Sequence, residues 1–442
     1  MASTEAQRGR LRIVSGLELP ARPSAEILRR GWRLLTHPLT LTVVGDASAV
    51  AVLLGSVVAV FWPLLTGIGV YAESDTFTYF FPVYSVLHDA VSRGELPLWT
   101  PDVFGGFPLF AEGQIGALYP PSLLAVSLLS TVDGFLLLRV FHVTVAVLGT
   151  FAFARALRVG TAGAIVGGLS FGLGSFVIAQ QHHANLLATA VWLPVLLACL
   201  ELSMARQGWL SHGLLGLAAL LLGVAALATH VQPLMLIGAT IGGYVVARQL
   251  WMAATTVRER GVRPGLLTGG LLLVDGAAIV VFVGAVGALI AAAQILPLYE
   301  LSQESWRAHG WSYQDAIEYS LPPVNLLTLV FPFFFRMPDG GQWSLWQIWE
   351  SVLYVGVAPA ILAVVAAVAV RRWSVAFFTL TGLVSGLFAL GGYAPYGLYE
   401  WLWLIPGMSL QRAPGRFTMV TALSLAMLAA HGADWVAARA SD

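Results

Sequence analysis

Apolar positions along this chain run in long unbroken stretches instead of alternating with polar ones. A helix rises about 1.5 Å per residue and the hydrocarbon of a bilayer is about 30 Å thick, so about 20 mostly apolar residues make a span. Ten stretches fit, near 45–69, 135–157, 162–180, 185–205, 210–229, 231–250, 270–298, 351–370, 374–391 and 417–437. The seventh is the longest, and is expected to tilt or to begin with an interfacial turn around Leu266 to Gly270. Residues 395–406, with Pro395 and Pro406, are too short and interrupted to span and are expected to form a short helix on the outer surface. The pattern predicts an all-α polytopic membrane protein with about ten transmembrane helices.

Between the stretches lie two long segments, 71–134 and 299–350, in a chain whose other connections are short. Both are rich in rings. The first holds Tyr71, Phe77, Tyr79, Phe80, Phe81, Tyr84, Trp99, Phe104, Phe107, Phe110 and Tyr119, and the second holds Trp306, Trp311, Tyr313, Tyr319, Trp343, Trp346 and Trp349. Such density beside a bilayer marks either an interfacial belt or a folded surface on which a substrate stacks. The spacing of Phe80, Tyr84, Leu87 and Val91 predicts a helix lying on the membrane with His88, Asp89 and Arg93 toward water. No internal repeat is evident, so an inverted-repeat transporter gains no support.

Composition agrees with the pattern. Of 442 residues, 58% are hydrophobic and 10% charged, with a mean hydropathy of +0.79, whereas a soluble domain is about 25% charged. The single cysteine, Cys199, excludes an internal disulfide. Net charge is zero, so no basic field exists for a nucleic acid.

Distribution says more than the sum, because all 23 basic residues are Arg. Arg8, Arg10, Arg12, Arg22, Arg29, Arg30 and Arg33 flank the first stretch and define an Arg-rich segment, 1–44, expected in the cytoplasm. Its part 20–36 would suit an amphipathic surface helix. The first stretch exceeds a signal-peptide core and has no clear cleavage site after it, so it is expected to remain as an anchor.

Alternating ten spans from that start places Arg155, Arg158, Arg206, Arg248, Arg258, Arg260, Arg263, Arg371, Arg372 and Arg439 inside as well. That makes 17 of 23 inside, with both termini cytoplasmic; Arg93, Arg139, Arg307, Arg336, Arg412 and Arg416 fall outside or at the outer boundary. Fourteen of the 23 acids fall outside, which suits a neutral polyol approaching from that face.

Candidate chemistry concentrates on the outer side. Glu73 and Asp75 stand two apart just after the first stretch, where low dielectric makes carboxylates costly; Asp75 could take a proton from an incoming hydroxyl, or both could simply be solvated acids. Arg412 and Arg416 enter the last stretch at headgroup depth and could clamp a phosphate or merely snorkel. His182, His183 and Asn185, with His230 and Gln232, sit at the same face. Metal-ligand spacing such as His-x-x-x-His is absent, so hydrogen bonding to a sugar, or plain interfacial placement, is a stronger reading than a divalent metal, and no cofactor is expected.

The second long segment adds Glu300, Glu304, Arg307, His309, Asp315, Glu318 and Glu350 among its rings, the mixture a sugar site needs and a surface loop also shows. No phosphate-binding Gly-rich loop appears. Gly167, Gly168, Gly172 and Gly174 lie inside a stretch, where small residues permit close helix packing. Asp46 and Asp275 are the acids expected within spans, with no evident buried basic partner, which argues against an ion relay.

An ordered set of short motifs resembles a known family. Ser74-Asp75-Thr76-Phe77, Phe81-Pro82-Val83-Tyr84, Gly94-Glu95-Leu96-Pro97-Leu98-Trp99, Gly105-Gly106-Phe107-Pro108 and Tyr119-Pro120-Pro121 resemble the first outer loop of the bacterial YfhO-like membrane proteins. Trp192-Leu193-Pro194, Leu296-Pro297-Leu298-Tyr299-Glu300, Leu353-Tyr354-Val355-Gly356 and Arg412-Ala413-Pro414-Gly415-Arg416-Phe417 follow in order, so the resemblance covers residues 41 to 437. Two features depart from it: Ser74 stands where relatives often have Gly, and many relatives continue through further spans and an outer domain beyond the point where this chain stops.

The resemblance implies a GT-C-like transmembrane domain over 45–442. It implies a glycosyltransferase in the bacterial cytoplasmic membrane that moves a sugar from a polyprenyl-phosphate carrier to a cell-envelope acceptor on the outer face. Asp75 then matches the key carboxylate, and the expected substrate contacts are Glu73, Trp99, Gln114, His182, His183, Arg307, Glu350, Arg412 and Arg416. The other class left open is a non-catalytic membrane scaffold or transporter subunit that keeps the fold.

Overall fold

The computed structural model describes residues 43–69, 75–306, 308–337, 341, 343–345 and 347–440. The Arg-rich segment, with its expected surface helix at 20–36, lies outside the described residues.

The long elements are all helices: α1 (Val43–Leu65), α2 (Phe81–Ser92), α3 (Pro120–Leu128), α4 (Thr131–Ala156), α5 (Thr161–Gly172), α6 (Ala184–Ala190), α7 (Leu193–Met204), α8 (Trp209–Leu227), α9 (Val231–Arg260), α10 (Val262–Gln303), α11 (Val357–Ala369), α12 (Trp373–Ala389) and α13 (Thr418–Ala440). Among the described residues extended pairing is confined to isolated bridges, one between Thr100 and Phe107 and one at Arg336. The chain is therefore an all-α polytopic membrane protein.

Among the described residues, eight helical segments are long and apolar enough to cross a membrane: Gly45–Leu65, Thr131–Ala156, Thr161–His182, Ala184–Met204, Trp209–Leu227, Val231–Glu259, Gly265–Gln303 and Pro414–Ala440. The eighth and ninth expected spans are instead the shorter helices α11 and α12, of 13 and 17 residues. They reach about 20 and 26 Å, less than the hydrocarbon thickness. The first is shortened because residues 352–356 form a strap. Leu353 N–H donates to Thr328 Oγ1 at 2.9 Å, and Tyr354 exchanges hydrogen bonds with Ser175 at 2.7 and 2.8 Å. Gly356, at φ 99°, then turns the chain into α11.

The strap also explains a break in the third span. Tyr354 O lies where a Cβ on Gly174 would meet it at 3.2 Å, so the helix stops at Gly172 and resumes as the short turns Ser175–Ala179 and Gln180–His182. Earlier in that span the glycines do pack closely. A Cβ on Gly167 would meet the Ala430 side chain at 3.0 Å, and one on Gly168 would meet Val147 O at 2.9 Å. These approaches seat α5 between α4 and α13. The seventh span is one continuous helix from Val262, so the expected interfacial turn at Leu266 to Gly270 is absent: no Pro or left-handed residue interrupts that run.

The fourth span, α6 and α7, is the most buried and packs against α4 and α8, whereas the α1 and α10 spans are mostly exposed and face outward. One charged group lies inside this core and another, part-buried, lies at the end of α1. Glu201 of α7 accepts from Arg248 Nε at 2.7 Å and from the Tyr244 hydroxyl at 2.8 Å, and all three are buried. Asp46 pairs with Arg155 at 3.3 Å and accepts from Thr161 at 3.0 Å. The first adds Glu201 to the acids expected within spans, and the second gives Asp46 the basic partner it was expected to lack. Glu201 was missed because it follows a long apolar run.

The first long segment has its own small core of Phe80, Val83, Tyr84, Leu87, Leu109, Ile115, Val126, Phe135 and Leu138, closed by a 3.0 Å hydrogen bond between Tyr84 and Ser122. As the spacing predicts, α2 buries Val83, Tyr84 and Leu87 and leaves Asp89 and Arg93 exposed, while His88 turns back onto Val126 O at 2.8 Å. The short helix expected within 395–406 is Leu398–Trp403.

Candidate functional site

Asp75 lies beyond α1, at the opposite end of that helix from Asp46, and opens a five-residue π-helical turn, Thr76–Phe80. Such wide turns are rare and concentrate at functional sites. Arg139, buried in α4, holds the turn in place. It donates to Thr76 Oγ1 at 2.8 Å and to the Gln181 carbonyl, and stands over the Phe135 ring at 4.5 Å. One guanidinium thus joins the Asp75 turn to the Gln180–His182 turn.

The join brings Asp75 to His183, Oδ2 to Nε2 at 3.6 Å. The carboxylate side chain is 53% exposed and the imidazole 16%. Burial, then the charges of Arg416 and Arg412, push His183 down to about 3. The contact is therefore a carboxylate against a neutral imidazole, not an ion pair.

Behind His183 the network continues into the protein. Gln180 Oε1 lies 2.5 Å from His183 Nδ1, and Gln180 Nε2 donates to Trp349 O at 2.9 Å and to Glu350 Oε2 at 3.4 Å. Glu350 is buried and takes a two-pronged contact from Arg416, whose Nη2 and Nε donate to Oε1 at 2.7 and 3.0 Å. Arg416 Nη1 also reaches Gln232 Oε1 at 3.3 Å and His230 Nε2 at 3.5 Å. Burial and the neighbouring Arg416 charge push His230 well below its ordinary value.

The loop entering α13 is shaped to deliver these arginines. Ala413 sits at φ 60°, Gln232 Nε2 donates to the carbonyls of Arg412 and Ala413 at 2.8 and 3.2 Å, and Gly415 N–H donates to Tyr319 O at 3.0 Å. A side chain on Gly415 would meet Tyr319 O at 2.7 Å. Arg416 therefore points inward. Arg412 lies over the rings of Trp311 and Tyr319 at 4.8 and 5.8 Å, 3.8 Å from Glu318, with 36% of its side chain exposed.

The remaining expected residues divide. His182 is buried edge-on to Trp349, with ring centroids 4.2 Å apart, and beside His183. Gln114 forms an adjoining polar group: Asn185 donates to its Oε1 at 3.5 Å, and Glu112 accepts from Gln114 N–H at 3.0 Å and from Tyr79 at 2.8 Å. Burial and Glu112 push the Tyr79 hydroxyl up, so it remains a donor. Trp99 lies against Gly106, 62% exposed, with no hydrogen bond or ring contact to the cluster among the described residues. Glu73 and Arg307 lie outside the described residues.

Glu350 and Arg416, expected as separate substrate contacts, are spent chiefly on each other. Among the described residues, no group of three His, Cys, Asp or Glu side chains is arranged to hold a metal ion. Gln180 went unread in the sequence; the only signal was a pair of glutamines ending an apolar span beside two histidines. Chemically the described residues offer a half-exposed carboxylate at Asp75 with a neutral imidazole beside it, and a half-exposed guanidinium at Arg412 on a ring platform, paired with the half-exposed Glu318. No family model, curated protein or solved structure matches this chain.

Proposed function

We propose that the chain is a membrane glycosyltransferase of the GT-C kind, moving a sugar from a polyprenyl-phosphate carrier to a cell-envelope acceptor at the outer face of the bacterial cytoplasmic membrane. The observation that carries the reading is the unequal state of two carboxylates at one end of the bundle. Glu350 is buried and takes a two-pronged contact from Arg416, while Asp75 is half-exposed, and among the described residues its charged or titratable neighbour is the neutral imidazole of His183. Of these two, Asp75 is the one placed to accept a proton, and unlike the half-exposed Glu318 it is not set against an arginine. The motif order resembling the YfhO-like proteins supports the same assignment.

In the proposed reaction, the acceptor O–H gives its proton to Asp75 while the oxygen electron pair forms the bond to the anomeric carbon. The bond from that carbon to the phosphate oxygen breaks, and its electron pair leaves on the polyprenyl phosphate. Arg412, half-exposed and stacked on Trp311, is the cation placed to meet that growing charge. Arg416 holds the loop through Glu350. General-base help is worth about 10²- to 10⁴-fold.

The test supplies a labelled polyprenyl-phosphate sugar and an acceptor extract to purified protein in vesicles. Wild type should transfer label and Asp75→Asn should lose about 100-fold or more. Undiminished transfer by Asp75→Asn would remove Asp75 from the chemistry, and no transfer by wild type would favour the scaffold reading.

A further inference from the structure

The hydrogen bonds around Gln180 determine where the proton of His183 resides. Trp349 O can only accept, so the Gln180 amide nitrogen must face it, 2.9 Å away, and that nitrogen also faces Glu350 Oε2 at 3.4 Å. The amide oxygen is then the atom 2.5 Å from His183 Nδ1. An oxygen there requires Nδ1 to carry the hydrogen. Because burial and the Arg416 and Arg412 charges keep the ring neutral, Nε2 is left with a bare lone pair, and it is this atom that faces Asp75 Oδ2 at 3.6 Å.

Two acceptors face each other across that gap with no proton assigned to either. The other tautomer would have donated to the carboxylate and made it a poorer base. Gln180 is buried, so water does not compete for its amide.

We infer that Gln180 is a positioning residue which locks His183 as the Nδ1–H tautomer, denying Asp75 a hydrogen bond while it is a carboxylate and offering it an acceptor once it is protonated. The inference rests on the transfer reading for its consequence, but the tautomer itself does not. When the acceptor hydroxyl gives its proton to Asp75 Oδ2, the new O–H donates to His183 Nε2, which favours the protonated product of the base step. The proton then leaves to solvent from the exposed carboxyl, and no co-reactant is needed.

The experiment is nitrogen-15 NMR of histidine-labelled, full-length protein in lipid nanodiscs near pH 7.5, with the His183 signals identified by their loss in His183→Gln. Wild type should show a protonated Nδ1 and an unprotonated Nε2 at His183. In Gln180→Leu the balance should move toward Nε2–H. Transfer by that variant should fall about tenfold, the worth of one hydrogen bond, and the acidic limb of its pH–rate profile should shift to lower pH. A protonated Nε2 in wild type would overturn the inference without need of any variant, as would an unchanged tautomer in folded Gln180→Leu. Inactive wild-type protein that still shows the Nδ1–H form would leave the inference standing and remove the transfer reading instead.

Discussion

Two residues of the site differ chiefly in what surrounds them. Glu350 and Arg416 form a buried pair, and removing one member leaves the other charged and desolvated. Arg416→Ala and Glu350→Ala should each destabilise by about 3–5 kcal/mol, and the double variant Glu350→Leu/Arg416→Leu should recover much of that loss in thermal unfolding. His183 makes a pH prediction. Its imidazole has a pKa near 6.5 when unfolded and about 3 when folded, so between those values the unfolded chain binds the extra proton. Its contribution is therefore intact above about pH 6.5 and is lost as pH falls toward 3. The pH dependence of the unfolding midpoint should flatten in that window for His183→Gln. The residue types at this site were legible in the sequence, but their pairings were not. Charge and position singled out Asp75, Arg412, Arg416 and the histidines, whereas the pairing of Arg416 and the role of Gln180 arise from contacts between segments 66 and 170 residues apart.

Apolar run length placed the helices, because in hydrocarbon every backbone group must be satisfied within its own segment. It failed where that condition lapses. At 352–356 the backbone is satisfied by Thr328 and Ser175 instead of by a helix, so an apolar run became a strap and α11 came out short. The entry loop of α13 depends on such a close approach at Gly415. Gly415→Ala should force the loop off Tyr319 and Glu350 and lower both stability and transfer. Gly284→Ala is the contrast. Nothing lies within 4 Å of a Cβ there, in mid α10, and the change should be neutral or stabilise by about 0.5–1 kcal/mol, read by thermal unfolding.

For the whole molecule, a zero net charge resolves into two ends. Asp75, His183, Glu350, Arg412 and Arg416 gather at one end, and Asp46, Arg155 and Thr161 meet at the other. We propose, from the Arg excess expected inside, that the second end faces the cytoplasm. In a Cys199→Ala background, a membrane-impermeant thiol reagent added outside should label Glu95→Cys and spare Arg206→Cys until the membrane is opened. The reverse pattern would invert the assignment and place the site on the wrong face for a lipid-linked donor exposed outside. The central claim is that Asp75 and Arg412 flank one lipid-linked sugar. It is tested most directly by a density map of the protein in nanodiscs loaded with a polyprenyl-phosphate sugar. The expected result is phosphate density against the Arg412 guanidinium, with the sugar ring between it and Asp75. Phosphate density elsewhere on the molecule, with the space beside Asp75 closed by protein side chains, would contradict it.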